Sequence, residues 1–406
     1  MKALRAARVF DGERFVTGGG TVLVEDGTVV AVEAGYPDLP EHVVMVDFGD
    51  ATLLPGLIDT HTHLVGDSGD GALDRVAGYS PAQLRRVVDE SLGRHLAAGV
   101  TTVRDLGDRD WVALERRDQQ RSGEASGARP EPSVLASGPP LTSPGGHCFF
   151  MGGAVAGRAA IARAVREQAE RGVDVVKVMA SGGMNTPGTD VMRTQFTDDE
   201  LEFLVEQAHG YGLPVTAHAH GLPAVEQAMR AGVDALEHCS CLTETGVRIT
   251  DELLEDLARR ALPVGAALGA PPPEALARMP DSVRAMMDKA GVTPAMVREI
   301  RLATVRRMHQ AGVLFVAGRD SGIAPHMDHG SLRESVAFLV EAGASTAQAL
   351  AAATSRAAHA CGVADTKGSL RSGYDADILV VDGDLSADVS RLRYVRAVLR
   401  NGRPIS

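Results

Sequence analysis

The chain has 406 residues, of which 44% are hydrophobic and 23% charged, a composition that excludes a disordered polypeptide and allows a large core. A formal charge of −12, with no run of Lys and Arg against the acidic background, argues against nucleic acid or an anionic membrane as partner and leaves a small molecule. No stretch reaches the ~20 apolar residues of a membrane span, the opening MKALRAARVFDGERF has no apolar h-region, and Cys148, Cys239, Cys241 and Cys361 make no disulfide framework; together these predict a cytoplasmic protein.

The N-terminal stretch TVLVEDGTVVAVEAG reads as two alternating strands joined by a type I′ turn at Asp26-Gly27. Eight short apolar runs then alternate with helical segments, the pattern of repeated βα units: GLIDTHTH, GVTTVRDLG, PSVLASG, VDVVKVMA, LPVTAHAH, VDALEHC, LPVGAALG and GVLFVAGRD. Among the helices, Ser80-Pro81 opens one and Thr197 with Glu200 forms a capping box for another. After the seventh run, a largely helical stretch from about Ala270 to Gln310, with Pro271-Pro272-Pro273, is longer than a connector and suits a lid. The C-terminus returns to strand-like DADILVVDGD and VRAVLRNGRPI, with a tight turn at Asn401-Gly402. The expected architecture is an α/β fold: a (β/α)8 TIM barrel over residues 55–367, and a small β-sandwich domain built from 1–54 plus 368–406, since neither end alone supplies enough strands.

Alternation along a strand puts His61 and His63 of DTHTH on one face, able to grip a single ion at the C-terminal end of the first barrel strand, where this fold places its chemistry. His218 and His220 end strand five, His238 ends strand six and Asp320 ends strand eight, so these side chains converge on one rim. Lys177, among apolar neighbours on strand four, would be repelled by divalent cations as an ammonium. It either loses its proton or takes up carbon dioxide as a carbamate able to bridge two metals; a substrate-binding amine or a Schiff-base nucleophile in a one-metal enzyme are the alternatives. Polar residues near the strand ends, His147 in the Gly-rich PGGHCF, His220, Arg193 and His329, are candidate substrate contacts, with His147 and His220 ranked first.

Several neighbours are read as structural. Cys239 and Cys241 should face away from His238 and pack against a helix. Asp59 shares the face of His61 and His63 as either an outer partner or a structural group, and Asp105 is assigned a structural place at the end of strand two. His95 and His209 fall in helices; His42, His309 and His359 lack convergent partners; His326 is expected on the surface.

PGLIDTHTH, Lys177, His218, His238, Asp320 and the closing ATSRAAHACGVADTKGSLRSGYDADILVVDGD together resemble the amidohydrolase superfamily across nearly the whole chain. GVTTVRDLG, GGH, KVMASGG, QFTDDEL, TAHAHG and HGSL look most like its imidazolonepropionase-like and prolidase-like dipeptidase branch. The resemblance implies that His61, His63 and Asp320 hold one divalent ion, that His218 and His238 hold a second, and that Lys177 bridges them as its carbamate; imidazole and carboxylate accept zinc, manganese, iron or cobalt, with zinc as the default. Arg319 departs from the pattern, which usually has a small or hydroxylated residue before the aspartate. Paired metals lower the pKa of a bridging water and polarise a carbonyl, with Asp320 as general base and then acid. The implied substrate is a dipeptide or N-acyl amino acid with a free carboxylate, and barrels of this type often pair into homo-oligomers. A one-metal cyclic amidase or deaminase is the competing enzyme reading; a barrel kept only as an assembly scaffold is the non-catalytic one.

Overall fold

The computed structural model describes residues 1–123, 130–266 and 281–405. The N-terminal segment contributes β1 (Lys2–Ala6), β2 (Arg8–Val9), β3 (Gly20–Glu25), β4 (Thr28–Ala34), β5 (Val44–Asp47) and β6 (Ala51–Pro55). Between β3 and β4 the chain reverses at Asp26 and Gly27, both with positive φ (48° and 84°), the left-handed pair a type I′ turn demands.

The middle of the chain supplies β7 (Leu57–Thr62), β8 (Val100–Asp105), β9 (Ser133–Ala136), β10 (Val176–Met179), β11 (Val215–Gly221), β12 (Ala235–Thr243), β13 (Gly246–Val247) and β14 (Val264–Gly265). β7, β8 and β9 pair in parallel as one arc, and β10, β11, β12 and β14 as a second, with the short β13 antiparallel to β12. At one junction Leu141, just past β9, bridges Val178 of β10, giving N to Lys177 O and taking Met179 N, each at 2.8 Å. At the other, the run expected as the eighth strand lies beside β14 through Val264 and Phe315 and beside β7 through Thr62 and Ser321. It forms no regular strand, which corrects that expectation; the run ends at Asp320 in left-handed backbone, φ 57°.

Helices cover these strands, with starts where the sequence places them. Ser80 caps Pro81–Ala97 in a capping box with Gln83, and Thr197 caps Asp198–Gly210 in another with Glu200. The connector after β14 carries helices at Asp281–Lys289 and Pro294–Gln310; residues 267–280 of the expected lid, including the three prolines, lie outside the described residues.

The chain ends in β15 (Ile378–Asp382), β16 (Val395–Arg400) and β17 (Arg403–Pro404), the last pair joined at Asn401-Gly402 (φ 48° and 68°). These strands continue into β6 and β2 as one sheet, while β4, β3, β1 and β5 form another. Leu4, Val22, Val24, Leu53, Ile378 and Val380 belong to one apolar cluster drawn from both sheets. Asp377 ties this region to the rest: its carboxylate accepts from Arg400 Nη1 at 2.6 Å, Lys367 Nζ at 3.0 Å and Asn401 N at 3.0 Å, and its carbonyl from Gly56 N at 2.8 Å.

Burial pushes the Asp377 carboxyl upward, but Arg400 and Lys367 outweigh it and hold the group below its ordinary value. A folded pKa below the unfolded one gives stability that is present above about pH 4 and lost as pH falls through the folded value. Asp377→Ala leaves the mostly buried Arg400 without its carboxylate and Lys367 with Asp375 alone, and should lower stability at pH 7 by about 3–5 kcal/mol, read from urea midpoints. The deficit should shrink below about pH 4; an unchanged midpoint at pH 7 would remove this role.

Candidate metal centre

β7 ends with His61 and His63, 1% and 5% exposed. The chain leaving the eighth run is pinned beside them, with Asp320 N on His61 O at 2.8 Å. Asp59 completes this clamp, its carboxylate accepting from His61 N, Arg319 N and Ser321 Oγ, each at 3.1 Å. Asp320 Oδ1 thereby comes within 3.4 Å of His61 Nε2 and 3.2 Å of His63 Nε2. Lys177, fully buried on β10, places Nζ 3.5 Å from His61 Nε2. Across the cavity, β11 brings His218 and His220 and β12 brings His238, with ring centroids 4.5–4.6 Å apart; His61 and His238, at 5.3 Å, connect the two sides.

The structure thus assembles two triads, His61, His63 and Asp320, and His218, His220 and His238, whose ligand atoms within each lie no more than 4.8 Å apart. The six side chains predicted to hold metal come together, and His220, expected at the substrate, joins the second triad. Both His238 (φ 68°) and Asp320 (φ 57°) occupy left-handed backbone, a strain of order 1–3 kcal/mol each that persists where surroundings over-determine it and is common at functional sites.

The electrostatics suit cations. Burial drives His218 and His238 well below the ordinary imidazole value, with neighbouring rings adding to it, so both are neutral and keep a lone pair. Burial also lowers Lys177, opposed by Glu237 and Asp320. Burial raises Asp320, but His61, His63 and Lys177 outweigh it and leave the carboxylate ionised. Outer partners set the tautomers: His63 Nδ1 lies 3.0 Å from Gly107 O and His218 Nε2 lies 3.2 Å from Gly182 O, which leaves Nε2 and Nδ1 respectively as the lone-pair nitrogens. The neutral imidazoles of His218 and His238, an ionised carboxylate and a lysine stripped of water fit divalent cations of the imidazole- and carboxylate-loving class.

His147 and His220 line the same cavity, together with Cys148, Met179, Met184, Asn185, Ser240 and Arg301. His147 Nδ1 pairs with Thr186 Oγ1 at 2.7 Å, and burial, then His220, carries its pKa down to about 3. His220 Nδ1 meets Ser240 Oγ at 2.9 Å, and burial, then Arg301, lowers it to about 4. Arg193 and His329 do not line this cavity. Arg193 is exposed and paired with Asp190 at 3.3 Å. His329 is buried, with Nδ1 3.0 Å from His95 Nε2 and Nε2 donating to Gly66 O at 2.8 Å.

The remaining residues have plain placements. Asp105 accepts from Leu64 N and Gly107 N, and Cys239 and Cys241 pack in the main apolar core. Arg319 bonds Ser331 Oγ at 3.2 Å and the His326 carbonyl. His42, His209 and His359 are exposed, while His309 and His326 are half-buried. Sequence reasoning missed Arg301, half-buried on Pro294–Gln310, and the buried pair Glu237 and Arg104, 3.1 Å apart beneath His61. For Glu237 the available signal was a charged residue inside the apolar run VDALEHC. A larger groove of about 1070 Å³ between the terminal strands and the start of β9 is lined by charges that pair with carboxylates, such as Arg121 with Asp174 and Arg400 with Asp377.

A profile of the amidohydrolase family matches residues 52–405. Ochratoxinase of Aspergillus niger is 28% identical over 377 aligned residues, covering 85% of this chain and 73% of its own. Imidazolonepropionase of Paracidovorax citrulli is 25% identical over 435, covering 96% of this chain and 90% of its own. The crystal structure of a Xaa-Pro dipeptidase with bound methionine in its active site superposes with a TM-score of 0.84 at 25% identity, over 99% of each chain. With a TIM-barrel-type α/β fold and two metal-competent triads on one rim, the chain belongs to the amidohydrolase family and is a hydrolase of carbon–nitrogen bonds.

Proposed function

We propose that the protein is a prolidase-like enzyme that cleaves the amide bond of a dipeptide or N-acyl amino acid. In this reading His61, His63 and Asp320 would hold one divalent ion, His218 and His238 would hold a second, and Lys177, as its carbamate, would be a ligand shared between them, with zinc as the default metal. The observation that carries it is the meeting of both triads around Lys177, with Nζ 3.5 Å from His61 Nε2 and Oδ1 of Asp320 3.4 Å from the same nitrogen. Residues 55–367 are taken as one closed (β/α)8 barrel and the terminal sheets as a β-sandwich, a reading supported by the bridges at Leu141, Phe315 and Ser321 and by the shared apolar cluster.

Each residue has a task its surroundings suit. Burial lowers the pKa of Lys177 and so eases loss of its ammonium proton, after which the amine nitrogen can bond the carbon of carbon dioxide and release a second proton. Divalent ions, when bound, lower the pKa of water and polarise a carbonyl. Asp320, ionised and at the lip of the cavity, accepts the proton of the attacking water and returns it to the departing amine. Arg301 offers the cavity a guanidinium suited to a substrate carboxylate, with His147 and His220 as neutral hydrogen-bonding neighbours.

The test is a panel of dipeptides, N-acyl amino acids and cyclic amides, run on one preparation whose metal content is measured. Two ions per chain with dipeptide turnover is the expected result; one ion with turnover only of cyclic amides would replace this reading with the imidazolonepropionase-like one. Asp320→Asn should lower kcat by about 10²–10⁴-fold while much of the metal stays bound, and retention of most activity would refute its role. Arg301→Leu should lower kcat/KM by about 30-fold or more for a substrate with a free carboxylate, the scale of ~2 kcal/mol or more for truncating a buried charge partner. The corresponding amide substrate should lose far less, and equal losses on both would exclude carboxylate recognition by Arg301.

A further inference from the structure

Nothing in the mechanism above uses Glu237, although it is fully buried against His61. Its Oε1 accepts from Thr216 Oγ1 at 2.8 Å and Arg104 Nη2 at 3.1 Å. Its Oε2 stands 3.0 Å from His61 Nδ1, at ion-pair distance but off ideal hydrogen-bond alignment, and neither atom has any other partner. The neighbouring strand makes room for this oxygen: a Cβ on Gly265 would lie 2.2 Å from Oε2. Arg104 extends the contact, with Nε donating to Thr60 O at 2.8 Å, one residue before His61. Glu237 therefore gathers side chains or backbone from β7, β8, β11 and β14 around its own position on β12.

The arrangement is selective for His61. His63 and His218 direct their second ring nitrogens at backbone carbonyls, which are neutral acceptors. His61 faces a carboxylate. An anionic acceptor keeps the proton on Nδ1, fixes the ring's rotation, and makes Nε2 a stronger electron donor toward a cation. Nε2 is the atom that faces Asp320 and Lys177.

We propose that Glu237 is a positioning residue of the metal centre, holding His61 in the Nδ1–H form so that Nε2 ligates, with Arg104 and Thr216 fixing the carboxylate. The inference rests on the metal centre of the preceding section and on no substrate. Both readouts below are made without substrate, so a failed substrate panel leaves them untouched.

Glu237→Gln keeps the shape but puts a donor among three donors. In competition with a chelator, the variant should bind zinc about 10- to 100-fold more weakly than the parent; affinity within about twofold of the parent would overturn the proposal. Should the variant fail to fold, the parent decides. In ¹⁵N-histidine spectra of the metal-free full chain, with the His61 signals identified by their loss in His61→Asn, the expected pattern is a protonated Nδ1 and a bare Nε2. The reverse tautomer would equally overturn the proposal.

Discussion

A lysine, two carboxylates and a cluster of imidazoles crowd one end of a parallel sheet, nearly dry, and the rest of the molecule is arranged so that this crowding is tolerable. Removing a charge from water carries a penalty of several kcal/mol unless a partner is fixed in place. The penalty is met here in two ways. His218 and His238 stay neutral, so they carry no charge to desolvate. Asp320 and Glu237 stay ionised because each lies against Lys177 and histidines, with Arg104 added for Glu237, whose pKa falls to about 2 despite its burial. Divalent cations would complete the same balance on the rim.

Fixing these partners falls to backbone as much as to side chains. Asp59, which burial raises to about 7 against its three hydrogen bonds, joins β7 to the segment carrying Asp320. That clamp, together with Asp320 N on His61 O, holds Asp320 in left-handed backbone. The strain at Asp320 is therefore sustained by contacts from β7, a strand distant in the chain.

Much of this was legible in the sequence, for physical reasons that vary by residue. Strand alternation has period two, so His61 with His63 and His218 with His220 announce a shared face without any structure. Capping boxes and Asp-Gly or Asn-Gly turns are local chemistry and fell where expected, at Ser80, Thr197, Asp26 and Asn401. Glu237 was hidden because strand alternation assigns it to the face opposite His238, whereas the left-handed backbone at His238 breaks that alternation and both side chains reach His61. Arg193 and His329 occupy loops, and alternation says nothing about which way a loop residue turns. Arg301 lies 36 residues beyond the end of β14, on a helix whose docking no local pattern encodes. The eighth run lies beside β7 and β14, but it meets each through an isolated bridge and not a regular ladder.

Among the described residues, Arg301 differs from the other charged groups lining the cavity, Lys177 and Asp320, in where it is anchored. The others sit on the parallel strands or the turn directly after them, so altering their backbone would disturb the frame itself. The guanidinium rides on Pro294–Gln310, a segment inserted between one frame element and the next. Bond-breaking machinery and ligand reader are thus inherited on separate parts of the gene product, and changes of length or sequence in that insertion could retune which molecules are admitted while the ion-holding apparatus stays intact.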